Sequence, residues 1–131
     1  MQSRYFSVEK DYTAVCRWWE SWGWPPVPEM FLPEIGIVIS NKGVDICSGF
    51  LYKTDSAACW AENYISNKDV PRELRQGAIE FLIQRLIKEA KDAGFIAMMS
   101  SVNNPSLIKK LLKAGAIDKY ESNMSNLMVV L

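Results

Sequence analysis

The chain has no histidine. That excludes Ser-His-Asp and Cys-His catalysis and removes the commonest zinc ligand, so no metal site is expected. Any general base must be a carboxylate, a tyrosine, a terminus or a water relay. No apolar run reaches the ~20 residues of a membrane span. The opening Met1-Gln-Ser-Arg-Tyr-Phe6 has no secretory apolar region, so a cytoplasmic protein without membrane contact is expected. The three cysteines, Cys16, Cys47 and Cys59, lack metal-type spacing. An odd count fits reduced thiols acting as small buried hydrophobes. Neither sign of charge is in excess, with Lys+Arg 15 against Asp+Glu 15. That argues against a whole-protein electrostatic nucleic-acid binder and leaves only a local basic patch open. There are no repeats, low-complexity tracts or linkers.

What is present suits one domain over residues 1–131, with 49% apolar residues to fill a core. Residues 4–7 suit a short strand. From about 9 to 21, Tyr12, Val15, Cys16, Trp19 and Trp22 follow helical spacing, and Gly23 ends that helix. Trp24-Pro-Pro-Val-Pro-Glu-Met-Phe-Leu-Pro33 holds four prolines, so it is a stiff loop with at most one helical turn near residues 29–32. The tryptophans Trp18, Trp19, Trp22 and Trp24 either pack in the core or wall a ligand pocket. Alternation over Ile35, Ile37 and Ile39, a tight turn at Asn41-Lys42-Gly43, a return strand over 44–53 and a third strand over 57–65 make an antiparallel meander.

The stretch from Asn63 to Gly94 organises the rest. Leu74, Ala78, Leu82, Leu86 and Ala90, with Ile79, Ile83 and Ile87, form the broad apolar stripe of a long helix on a sheet. Pro71 fits its first turn and Gly94 its left-handed end. A strand, a basic turn and a helix start bring free N–H groups, a positive dipole end and Arg72 and Arg75 to one point, a good place for a phosphate. Gly77, early in that helix, either lets the helix pack closely on a strand or lets a phosphate approach the backbone. An apolar strand over 95–102 follows. Asn104 and Pro105 open a short helix with Leu107, Ile108, Leu111 and Leu112 inside and Lys109, Lys110 and Lys113 outside. Two closing strands are expected at 116–120 and 124–131. The fold class is α/β with a mixed sheet, in the order β-α-loop-β-β-β-α-β-α-β-β. The strand–helix–strand step over 57–102 should be a parallel crossover, with a crevice at the carboxyl end of its first strand.

This order resembles the GNAT family of acyl-CoA-dependent N-acyltransferases along essentially the whole chain. The texture of Trp18-Trp19 through the Pro-rich loop, and of Cys59-Trp60 through Asn67, is similar to short GNAT-like proteins of tailed phages, which would imply a host cytoplasm. The family's CoA loop, Gln/Arg-x-x-Gly-x-Gly/Ala, falls on Leu74, Gly77 and Ile79. Only Gly77 matches, with Arg72, Arg75 and Gln76 supplying polar groups nearby. The second motif, an Asn followed by a helix ending near Lys-x-Gly-Phe, falls on Asn104 and Lys113-Ala-Gly-Ala116.

The resemblance implies that backbone N–H groups of Gln76, Gly77 and Ala78 hold the diphosphate of acetyl-CoA (or CoA), with Arg72, Arg75 and Asn104 beside it. It implies that the pantetheine arm pairs with the strand ending at Tyr64 and Ile65, beside a splay that admits the thioester. A small-molecule or protein amine would enter between the Trp/Pro loop and the last hairpin, and a homodimer stays open. Glu62 is the candidate base, expected on the same side as Trp60 and Tyr64, or else a plain solvated strand residue. Tyr64 and Tyr120 are fallback acids, because Leu111 stands where many members carry an acid tyrosine. Lys109, Lys110 and Lys113 are a wet helix face or contacts for adenosine phosphates. Two other functions share this fold: a catalytically degenerate binding protein of a virion or host interaction, and a DNA base-modifying protein.

Overall fold

The computed structural model describes residues 1–117 and Val129. The expected closing strands, and Tyr120 with them, lie almost wholly outside the described residues. Within them, strands β1 (Gln2–Tyr5), β2 (Ile35–Asn41), β3 (Val44–Tyr52), β4 (Ala58–Ser66) and β5 (Ala97–Met99) form one five-stranded sheet in sequence order. The first four are antiparallel and β5 joins β4 in parallel, so the mixed sheet and the parallel step are as expected. The β2–β3 turn is tight because Lys42 and Gly43 both take positive φ, the pair of left-handed residues a two-residue hairpin needs.

Helices cover both faces. Helix α1 (Val8–Ser21) lays Val15, Trp18 and Trp19 against Phe50 and Ile65. On the other face Leu82 and Leu86 pack on Ile37, Ile39, Cys47, Leu51, Cys59 and Ala61. The expected long helix is broken. A short α2 (Arg72–Arg75) is followed by extended Gln76 and left-handed Gly77, and only then by α3 (Ala78–Asp92). Leu74 therefore belongs to a separate turn, held where its carbonyl accepts from the Asn41 amide at 3.0 Å. Gly94, at φ 89°, follows the end of α3. In α4 (Pro105–Lys113) the Asn104 side chain accepts from Leu107 N–H at 3.0 Å, the cap the sequence called for.

The start of α1 is clamped electrostatically. Asp11, buried in its first turn, accepts from the Arg4 guanidinium at 2.7 and 2.8 Å and from Ser7 N–H at 2.8 Å. Burial opposes the charge, but the Arg4 and Ser7 hydrogen bonds outweigh it and hold the carboxyl below its ordinary range. A depressed folded-state pKa gives stability that is complete above the unfolded pKa and is lost as pH falls through the folded one. Thermal melts should therefore show loss beginning near about pH 5 and continuing well below it. Asp11→Asn should be less stable at neutral pH and show a shallower acid limb; parallel acid limbs would remove Asp11 from this role.

Candidate active site

Two features open the sheet at one end. The β4–β5 ladder pairs only Ala58, Cys59 and Trp60 with Ala97, Met98 and Met99. From Ala61 to Ser66, β4 stays paired with β3, but its other edge has no strand beside it among the described residues. Beyond the last pair, side chains bridge the gap. Ser100 Oγ donates to the Ala61 carbonyl at 2.7 Å, and Ser101 N–H donates to Glu62 Oε1 at 2.7 Å.

The second feature is a bulge. Ser48 faces Ile65 while Phe50 faces Glu62, so Asn63 and Tyr64 stand opposite the single residue Gly49. Asn63 takes φ 57°, a conformation that Asn tolerates better than most residues. Its amide donates to Tyr52 Oη at 2.7 Å, and Tyr52 Oη donates to the Phe31 carbonyl at 2.9 Å, fixing the Pro-rich loop. The extra residue turns Tyr64 over. Tyr64 meets Leu82 and Leu86 above Gly49, on the α3 face, whereas Glu62 lies opposite Phe50, on the α1 face. The expectation that Glu62 and Tyr64 share a side is thus corrected, because simple alternation does not survive a bulge. The Tyr64 hydroxyl lies 3.0 Å from Ser100 Oγ, whose own proton goes to Ala61, so Tyr64 donates. Burial pushes the Tyr64 phenol up to about 12, only partly offset by the Ser100 bond. It stays protonated across the physiological range.

A cavity of about 550 Å³ opens at the start of α3. Its walls include Tyr64, Ile65, Arg72, Arg75, Gln76, Gly77, Ala78 and Asn104, all of the residues expected to hold a cofactor. Gln76 N–H is already bonded to the Arg72 carbonyl at 3.0 Å, so it does not join the cradle as expected. The N–H groups of Gly77, Ala78, Ile79 and Glu80 have no partner among the described residues. The cradle is therefore shifted one to two residues along the chain. Gly77 has φ 83°, and a Cβ there would meet only Met1 Cε at 3.8 Å. Its need is conformational, and of the two readings of Gly77 the one of close helix–strand packing finds no contact to support it among the described residues. Arg72 and Arg75 make no ion pair among the described residues, and Lys110 also lines the cavity. A diphosphate with an apolar tail fits these donors and the open β4 edge.

A second cavity, about 330 Å³, lies on the α1 side between the Pro-rich loop, Glu62 and 101–104. It shares Trp24, Tyr64, Asn104 and Leu107 with the first. Burial raises the Glu62 carboxyl above its ordinary range, and the Ser101 N–H pulls it partly back. Of the tryptophans, Trp18 is core, Trp19 and Trp24 line this second cavity, and Trp22 lines the first. Leu111 is buried and lines neither cavity. No cluster of metal-ligating residues exists among the described residues.

Solved structures share this architecture end to end. One is an acetyltransferase of Trypanosoma brucei, 12% identical, with TM-score 0.69 over 96% of this chain and 99% of that one. Another is the aminoglycoside N-acetyltransferase AAC(6')-Iy in complex with CoA, 14% identical, with TM-score 0.64 over 98% and 100%. The fold is that of the GNAT acetyltransferases. A transcriptional regulator from Bacillus halodurans has it too, 12% identical, with TM-score 0.66 over 99% of each chain. No protein-family model matches the sequence, and no curated protein matches it.

Two residues of the site escaped the sequence reading, and a third, Trp22, reaches it by an unexpected route. Ser100 and Ser101 were visible only as polar residues at a strand end. Trp22 donates through Nε1 to the Ser66 carbonyl at 2.9 Å and stacks on Trp24 with ring centroids 6.1 Å apart. Helical spacing had placed Trp22 on the apolar face of α1, but the helix ends there and its ring crosses to the end of β4.

Proposed function

We propose that this protein transfers an acyl group from acyl-CoA, acetyl-CoA being the simplest, to an amine. The observation that carries the reading is the set of four unbonded N–H groups from Gly77 to Glu80, facing a cavity beside an unpaired strand edge. A helix start offers backbone donors and a positive dipole end to a diphosphate, and Arg72 and Arg75 add charge-assisted donors. The likeness to a CoA-bound acetyltransferase supports the same ligand class. The β4 edge beyond Trp60 offers backbone groups to the amides of a pantetheine arm. When bound, the thioester supplies an activated acyl carbon. Glu62 accepts the proton of the incoming ammonium, directly or through water. Tyr64, held neutral, is the candidate acid for the leaving thiolate. The likeness to tailed-phage proteins, and a host cytoplasm with it, rests on the tryptophan and proline texture alone.

The test is a thermal melt with and without acetyl-CoA. At a hundredfold excess over Kd, the native state should gain about 2.7 kcal/mol. No rise at millimolar acetyl-CoA would end the reading. If Glu62 is the base, kcat/KM should climb with pH through an apparent pKa above the ordinary carboxylate value of about 4.3. Glu62→Gln should remove that limb; a limb that persists in the variant assigns the base elsewhere.

A second reading keeps the fold as a binding module without turnover. It is favoured by Leu111, which is buried where the resemblance calls for an acid, and by the commitment of the Tyr64 hydroxyl to Ser100. Acetyl-CoA binding without release of free thiol across an amine panel would select it.

A further inference from the structure

We infer that the second cavity takes, as acyl acceptor, a compact primary amine with one positive charge, a flat aromatic or similarly apolar body, and no anionic group. This rests on the acyltransferase reading above and specifies its acceptor. The walls decide the class. Trp19, Trp24, Pro25 and Val27 present apolar and aromatic surface, and Glu62 is the only charged side chain among the described lining residues. Glu62 uses Oε1 to accept from Ser101, and its other oxygen has no hydrogen-bond partner among the described residues. An ammonium would satisfy that oxygen and lie near indole rings, whose faces attract cations. A carboxylate or phosphate on the ligand would meet Glu62 with no opposing cation among the described lining residues and would be repelled. Burial has already made the Glu62 charge unfavourable, and a cationic partner relieves it. The space of about 330 Å³ suits one ring system and a short amine arm rather than a large polyamine sugar. The cavity meets the larger one at Trp24 and Tyr64, so an amine held there faces the splayed strand edge.

The transfer balances simply. The ammonium loses one proton to Glu62 and becomes a nucleophile. Its lone pair forms the C–N bond at the thioester carbonyl carbon, and the C–S bond breaks with its electrons on sulfur. The second proton lost by nitrogen is matched by the one the thiolate takes up. The products are an amide, the free CoA thiol and one proton released to solvent.

Tryptamine and tryptophan differ by one carboxylate and make the test. Each is titrated into the full chain without acetyl-CoA by calorimetry, and again into Glu62→Gln and Trp24→Ala. Tryptamine should bind the native protein at least about tenfold more tightly than tryptophan. Glu62→Gln should weaken tryptamine about tenfold and shrink the gap between the two ligands. Trp24→Ala, at a half-exposed side chain, should weaken both. Circular dichroism checks that each variant is folded, and Trp24→Ala decides if Glu62→Gln is not. Equal binding of the two ligands to the native protein, or tryptamine binding indifferent to both substitutions, overturns the inference. An acetyl-CoA melt runs alongside. If acetyl-CoA stabilises and tryptamine does not bind, the acceptor assignment fails while the transferase reading stands. If tryptamine binds as described and acetyl-CoA does not, the occupant stands and the transferase reading fails.

Discussion

Gly77→Asp should erase the stabilisation by acetyl-CoA and leave a folded protein. At φ 83° an L-residue costs about 1–2 kcal/mol, so the melting temperature should fall by several degrees even without ligand. Among the described residues nothing else resists the change, because a Cβ there meets only Met1 Cε, at 3.8 Å. The new carboxylate would stand among the four free N–H groups at the start of α3. It would bond to them itself and repel a diphosphate, removing both the donors and the favourable field at once. Gly77→Ala is the control, since it carries the backbone strain without the charge. It should lower the melting temperature somewhat more than Asp, which gains a helix cap that Ala lacks, and keep most of the ligand-induced rise. A wild-type acetyl-CoA shift in Gly77→Asp would mean that the diphosphate lies elsewhere. If the Asp variant is unfolded, the Ala variant with ligand still tests the cradle.

Phe50→Ala should be the most damaging single truncation, at about 3–5 kcal/mol. Its ring is wholly buried on the α1 face, edge-on to Phe6 at 5.0 Å and tilted against Trp19 at 6.4 Å. Gly36 is cut to fit it: a Cβ there would lie 2.8 Å from Phe50 Cδ1 and 2.7 Å from Phe6 Cβ. Losing the ring leaves a cavity between α1 and the sheet that Gly36 cannot fill. For a chain of this size each kcal/mol moves the melting temperature by about 3–6 °C, so a drop of roughly 10–30 °C is expected. Gly36→Ala should destabilise by overpacking, at about 1–3 kcal/mol. The pair should not be fully additive, because the smaller residue at 50 removes the clash with Phe50, while that with Phe6 Cβ remains. Additive losses would show that the two do not share this packing.

The local elements were readable because their signals are local. The α1 and α3 stripes, the Lys42-Gly43 turn, the Gly94 stop and the Asn104 cap each depend on residues a few positions apart, and they stand where spacing put them except at the stripe ends, Trp22 and Leu74. The break at Gln76 and Gly77 was hidden, because Leu74 continues the four-residue rhythm of α3 across it. What sets Leu74 apart is a hydrogen bond from Asn41, more than thirty positions away. The residues expected beside a cofactor line one cavity, and all but Asn104 cluster in sequence around one junction. The orientation of Tyr64 was not readable, because it depends on an extra residue in β4 counted against β3.

From the sequence alone came the order of elements, the two apolar helix faces, the absence of imidazole chemistry and the glycine that stands at the cavity mouth. These follow from periodicity, capping and residue inventory, which need no knowledge of distant partners. Only the tertiary structure decided which amides stay free, which face Tyr64 takes, and that Trp19, Trp24 and Glu62 wall one cavity. Those depend on the register between strands and on where a helix ends against a sheet. A shift of one residue in either reverses a side chain without changing any local pattern.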